Sequence, residues 1–137
     1  MKTIAVGISR QETFPVEEIH TAAHIGSGAV SVLATPWLIA FMEHVSMNLL
    51  SENIPEGSSS VGTQVDIRHL APTPVGAEVT IRAEIVKTDG NRITFAIEAQ
   101  DGGGKIGEGT HQRVIIDKQR FIRHVRERQA EMQRSGN

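Results

Sequence analysis

Thr35 to Leu50 reads TPWLIAFMEHVSMNLL. Threonine is a good helix N-cap, and proline fits the first helical position, where a missing N–H costs nothing. The sequence therefore predicts a helix with Thr35 as its cap and Pro36 as its first residue. Trp37, Leu38, Ile39, Ala40, Phe41, Met42, Val45, Met47, Leu49 and Leu50 then place apolar groups on nearly every side. A helix apolar all round must be enclosed, and in so short a chain a curved β-sheet is the simplest wall. Glu43 interrupts the apolar run. A lone carboxylate is costly to bury, so it requires a partner or a purpose.

The sequence that follows supplies the wall. Val61, Thr63, Val65, Ile67 and His69 alternate with Gln64, Asp66 and Arg68, which sets His69 on the core face of a strand. Pro72 and Pro74 end it. Ala77, Val79, Ile81, Ala83 and Ile85 alternate with polar residues in the next strand. Asp89-Gly90 marks a hairpin, Ile93 to Ala99 a further strand, and Gly102-Gly103-Gly104 another turn. Ile106 to Ile116 forms the last strand, with glycines at 107 and 109 where backbone or ligand can approach closely. Lys118 to Arg134 reads as a basic helix with Phe121, Val125 and Met132 on its inner side.

Before the central helix, residues 3–16 predict a first strand through Ile4, Val6, Ile8, Phe14 and Val16. Glu17 to Ile25 suits a short helix, and Gly26-Ser27-Gly28 a flexible break. Residues 17–34 could thus form a lid over the helix start. The expected fold is α+β: one strand, a long helix, then a four-strand antiparallel meander wrapped around it.

The chain has 137 residues, which suits one domain spanning 1–137. Hydrophobic residues make up 39% and charged residues 22%, enough for a real core. Cysteine is absent, which excludes disulfides and thiol catalysis and fits a reducing, cytoplasmic setting. A net charge of −2 leaves no broad footprint for nucleic acid. The first residues, MKTIAVGIS, are too weakly apolar for a signal peptide, and no run approaches a membrane span.

Thr35, Glu43 and His69 are the candidate catalytic residues. A carboxylate in an apolar setting becomes a better base or nucleophile near neutral pH. Each also has a plainer role: Glu43 as a structural carboxylate, His69 as a core histidine, Thr35 as a cap. The helix start adds a partial positive charge able to hold an oxyanion. Because Pro36 lacks an N–H, the Trp37 and Leu38 amides are the expected donors. His20 and His24, four apart, lack the third ligand of a metal site. Gly26-Ser27-Gly28 lacks the spacing of a phosphate loop.

Several motifs occur in a telling order: Ala34-Thr35, Met42-Glu43, Val61-Gly62-Thr63, His69, Thr73-Pro74-x-Gly76, and Ile106-Gly107-x-Gly109-Thr110-His111-x-Arg113. In these the chain resembles the hotdog-fold acyl-CoA thioesterases, above all the fluoroacetyl-CoA thioesterase group. The resemblance implies that Thr35, Glu43 and His69 match that group's catalytic residues. It implies substrate contacts at Gly62 and Arg113, with pantetheine passing Gly62 and phosphates meeting Arg113. It also implies a homodimer, with higher homo-oligomers left open, acting on a short or medium acyl-CoA. No metal or other cofactor is expected, CoA being part of the substrate. The aromatic lid residues of the fluoroacetyl-specific enzyme have no counterparts in the Ala-, Gly-, Ser- and Val-rich lid. A hotdog hydratase and a non-catalytic acyl-CoA-binding module are the alternatives.

Overall fold

The computed structural model describes residues 4–135. One five-stranded antiparallel sheet curves around a central helix. Its strands are β1 (Ser9–Pro15), β2 (Ser58–His69), β3 (Glu78–Asp89), β4 (Arg92–Asp101) and β5 (Gly104–Asp117). The helices are α1 (Ala22–Ile25), α2 (Thr35–Ser51) and α3 (Lys118–Ser135). The alternating residues of β3 and β4 form the wall: Val79, Ile81, Ala83, Ile85, Ile93, Phe95, Ile97 and Ala99 are all buried. They meet Leu38, Phe41, Met42, Val45, Leu49 and Leu50 of α2 in one core.

α2 is not covered on every side. Ile39, Ala40, Glu43 and Met47 stay half-buried, three or four residues apart along one stripe. The single sheet leaves this apolar stripe without a complete wall.

The strand order is β1-β3-β4-β5-β2. Only β3, β4 and β5 form a meander. The expected four-strand meander is wrong because β2 crosses over to pair with β5, while β1 takes the place beside β3. β1 and β2 are therefore the two edges. The first strand is also shorter than expected. Thr3 lies outside the described residues, and Gly7 adopts a φ of +100°, which breaks the extension between Ile4 and Ser9.

β2 departs from simple alternation. A bulge between Gly62 and Gln64 inserts Thr63, so Gly62 pairs with Arg113 while Gln64 pairs with Gln112 and Val65 with His111. The bulge turns Ser60 and Gly62 inward and puts Val61 on the outer face, against the expected pattern. Beyond it, Val65, Ile67 and His69 resume the inner face.

The expected helix over Glu17–Ile25 is split by extended Thr21 into a 3-10 turn, Glu18–His20, and α1. Thr21 Oγ1 caps α1 by accepting from His24 N at 3.1 Å. His20 is buried with its ring against Trp37 and Phe41. Backbone bonds pin the ends of this segment: Ala22 N donates to Val32 O, Leu33 N to Thr73 O, and Ala34 N to His20 O. Its tip, Ala23 to Ser31, is exposed.

α3 differs most from expectation. It follows β5 directly, with Arg120 N donating to the Asp117 carboxylate. No residue of α3 is buried. Phe121, Val125 and Met132, expected on an inner side, are 37%, 50% and 51% exposed, because the helix runs off the end of the last strand and meets chiefly β5.

Candidate active site

Thr35 is the first residue of α2, and Ala34 takes the cap position. Pro36 is accordingly second. The expected capping role of Thr35 is not taken, since its Oγ1 lies 2.8 Å from Nδ1 of His69. His69 ends β2, and its Nε2 is buried with no hydrogen-bond partner among the described residues. Burial pushes His69 below the ordinary imidazole value, with the Ala71 backbone opposing, so the ring is neutral near pH 7.

The expected donors at the helix start are not available. Trp37 N and Leu38 N both donate to the Ala34 carbonyl at 3.0 Å. Leu38 is fully buried, and the half-buried Trp37 ring packs on His20 and Phe41. With Pro36 lacking a hydrogen, Thr35 N–H is the first-turn donor left without a partner among the described residues.

Next to Thr35 and His69 opens a cavity of about 320 Å³. Ala22, Val32, Leu33, Ala34, Leu70 and Ala71 contribute to its lining. Its lining is mostly aliphatic, with Ser27, Pro72 and the Thr35–His69 hydroxyl–imidazole pair among the lining residues.

Glu43 lies elsewhere. Its Oε2 is 3.8 Å from Arg113 Nη1, and its side chain is 41% exposed in the single chain. The partner demanded by the sequence is thus an arginine. Gly62 makes room for the carboxylate: a Cβ there would fall 2.7 Å from Glu43 Oε2 and 3.2 Å from His111 Cε1. Arg113 is only 6% exposed, and Ser60 holds it by two hydrogen bonds, Nε to Oγ at 2.8 Å and Nη2 to O at 3.0 Å. The guanidinium is thus enclosed and anchored on β2 beside Glu43. His111 and Ser60, given no role from the sequence, complete this cluster. The signal for His111 was strand alternation: Gly107, Gly109, His111 and Arg113 share one face of β5. The two glycines on that face serve packing. At Gly109 a Cβ would collide with the β2 backbone at Asp66 and Ile67, and at Gly107 it would meet Leu38.

The candidate residues therefore fall into two separate clusters, Thr35 with His69 and Glu43 with Arg113. His69 pairs with Gly107 and Gly62 with Arg113, so the clusters are separated by six residues of β5, about 20 Å at ~3.3 Å per residue. Thr35 and Glu43 are likewise on the order of 12 Å apart along α2.

A family model described as fluoroacetyl-CoA-specific thioesterase matches residues 16–119. The fluoroacetyl-CoA thioesterase of Streptantibioticus cattleyicolor is 34% identical over 97 residues, 71% of this chain and 70% of that one. A crystal structure of a point mutant of the fluoroacetyl-CoA-specific thioesterase superposes with a TM-score of 0.86 at 30% identity, covering 93% of this chain and 99% of that one. A thioesterase superfamily member from Thermus thermophilus, a hypothetical protein, superposes with a TM-score of 0.85 at 30% identity, covering 96% and 99%. With its helix-wrapping sheet and these matches, the chain belongs to the fluoroacetyl-CoA-specific thioesterase family, hotdog-fold hydrolases of acyl-CoA thioesters.

Proposed function

We propose that two copies of this chain hydrolyse a short or medium aliphatic acyl-CoA at sites shared between them. The separation of the clusters carries this reading: Thr35 and Glu43 stand on the order of 12 Å apart along α2, too far for one acyl carbon to touch both. The exposed edge of β2 offers the remedy. The midpoint of residues 62 and 69 falls between Val65 and Asp66. A two-fold axis there, pairing β2 with its copy, sets His69 opposite the partner's Gly62. Thr35 and His69 of one chain then face the partner's Glu43. The half-covered stripe of Ile39, Ala40 and Met47 gains a wall from the same pairing.

In this site the acyl group enters the aliphatic cavity, and the thioester passes over Gly62. Thr35 N–H and the positive helix start receive the oxyanion. The Glu43 carboxylate takes a proton from the water that attacks the carbonyl carbon, or attacks that carbon itself to form an acyl–Glu43 anhydride that water then hydrolyses to the free acid and the restored carboxylate. The C–O bond forms, the C–S bond breaks, and CoA leaves as a thiolate. His69 assists transfer to sulfur of the proton that the hydrolytic water gives up. Alanine, glycine and valine in the lid leave room for more than a two-carbon acyl group. The lack of cysteine suits a cytoplasmic setting, and no helix among the described residues is long and apolar enough to cross a membrane.

The test is thiol release from straight-chain acyl-CoAs of two to ten carbons, wild type beside Glu43→Gln. Release that peaks at one chain length and collapses in the variant is the expected result. Acyl-CoA binding without release would identify a binding module, and equal release by the variant would remove Glu43 from the chemistry.

A further inference from the structure

One buried titratable group has no part in the chemistry above. His111 is 1% exposed. Its Nδ1 lies 2.8 Å from the Gln64 carbonyl oxygen, which can only accept, so the proton sits on Nδ1. Nε2 is then a lone pair, and it meets Arg113 Nη1, which can only donate, at 3.2 Å. Two neighbours of fixed polarity thus set the tautomer. Burial pushes His111 below the ordinary imidazole value, the Gln64 carbonyl opposes, the Arg113 charge lowers it further, and the Glu43 carboxylate opposes. A protonated ring could no longer accept from Arg113.

Arg113 is held from three directions: Nε and Nη2 by Ser60, and Nη1 by His111. Every one of these acceptors is neutral. The carboxylate facing the guanidinium is Glu43, beyond hydrogen-bond reach at 3.8 Å. The orientation of Arg113 therefore decides where positive charge stands beside Glu43, and His111 holds the edge that points there.

We infer that His111 is a positioning residue for Glu43, fixing the Arg113 guanidinium so that Nη1 faces the carboxylate. The inference rests on the reading that Glu43 acts on the thioester. On this inference His111 acts through Arg113 and not on the thioester, so its loss acts on kcat through a displaced carboxylate and leaves KM nearly unchanged.

The experiment compares His111→Phe, His111→Gln, Ser60→Ala and Glu43→Gln in the full chain, each by kcat, KM and melting midpoint. His111→Phe keeps a ring beside Phe95, whose centroid lies 6.0 Å away, and loses the acceptor. Its kcat is expected to fall about a hundredfold, as for a catalytic group misplaced by ~1 Å, with KM within about twofold. His111→Gln restores an acceptor and a donor, and should recover at least about tenfold of that loss. Wild-type kcat in His111→Phe, or equal losses in the Phe and Gln variants, overturns the inference. Should His111→Phe fail to fold, Ser60→Ala decides: lowered kcat at constant KM supports the network, and wild-type kcat overturns it. Glu43→Gln separates the two readings. If it retains turnover, the reading of Glu43 fails, whereas if it is inactive and His111→Phe is fully active, only the His111 role fails.

Discussion

Gly62→Ala perturbs the carboxylate by one methyl group. The added Cβ would stand 2.7 Å from Glu43 Oε2, 3.2 Å from His111 Cε1 and 3.5 Å from Arg113 Nη1. A carbon and an oxygen in ordinary contact need about 3.4 Å, so the carboxylate must retreat by roughly 0.7 Å. The atom displaced is the far end of a flexible, half-exposed side chain, so retreat is cheap. Gly62 is not among the glycines with positive φ, and alanine there also restricts the unfolded chain, a gain of about 0.4–1 kcal/mol. That gain offsets the tight contact with His111. Stability should stay within about 1 kcal/mol of wild type. Catalysis should not: a displacement approaching ~1 Å costs on the order of a hundredfold in kcat, or about 2.7 kcal/mol in the barrier. Thiol-release kinetics and thermal melting are measured on the same preparation. Unchanged kcat with unchanged melting would refute the placement of Glu43 over Gly62. A large loss of stability would show that the site is rigid where flexibility is expected.

Other consequences are open to direct measurement. Ala29→Phe, at the exposed lid tip, should shift acyl preference toward shorter chains with little change in melting, and an unmoved chain-length profile would dismiss the lid. Burial lowers both His69 and His111, so the unfolded chain binds more protons than the folded one below the ordinary imidazole value. Their contribution to stability is complete above about pH 6.5 and is lost as pH falls through their folded values. The melting midpoint should drop from pH 7 toward pH 5, and a midpoint that rises over that interval would contradict neutral buried rings. Val65→Lys or Ile39→Glu, on the β2 edge and the half-covered stripe of α2, should convert a dimer to a monomer by sedimentation and abolish turnover. An active monomer would oppose the shared site.

The parts legible in the sequence are those that obey a simple period. Pro36 and the apolar run to Leu50 announced α2, and strict alternation from Val79 to Ile85 and from Ile93 to Ala99 announced the wall. Asp89-Gly90 and the glycines at 102–104 marked the turns correctly. What failed depended on contacts distant in sequence. Nothing local tells that β2 skips β3 to pair with β5. A single inserted residue, Thr63, moved Gly62 from the outer face to a place beneath Glu43, and alternation cannot register a bulge. The Thr35 hydroxyl suited a cap, yet a histidine 34 residues away claimed it. The apolar positions of α3 suggested an inner side, but a helix leaving the end of a strand meets no wall in its own chain. The place of Arg113 beside Glu43 was not legible either, because it is held there by Ser60 on the neighbouring strand β2.

The shared site is tested most directly by mixing two inactive variants. Thr35→Ala and Glu43→Ala are each prepared, then co-refolded in equal amounts, with subunit exchange verified by tags of different mass. In a mixed dimer one site lacks both residues and the other keeps both. Random pairing makes half of all dimers mixed, so activity should recover to about a quarter of wild type. If both residues act within one chain, every site in the mixture lacks one of them. Activity no higher than the mean of the two parent variants, with exchange demonstrated, would contradict the account.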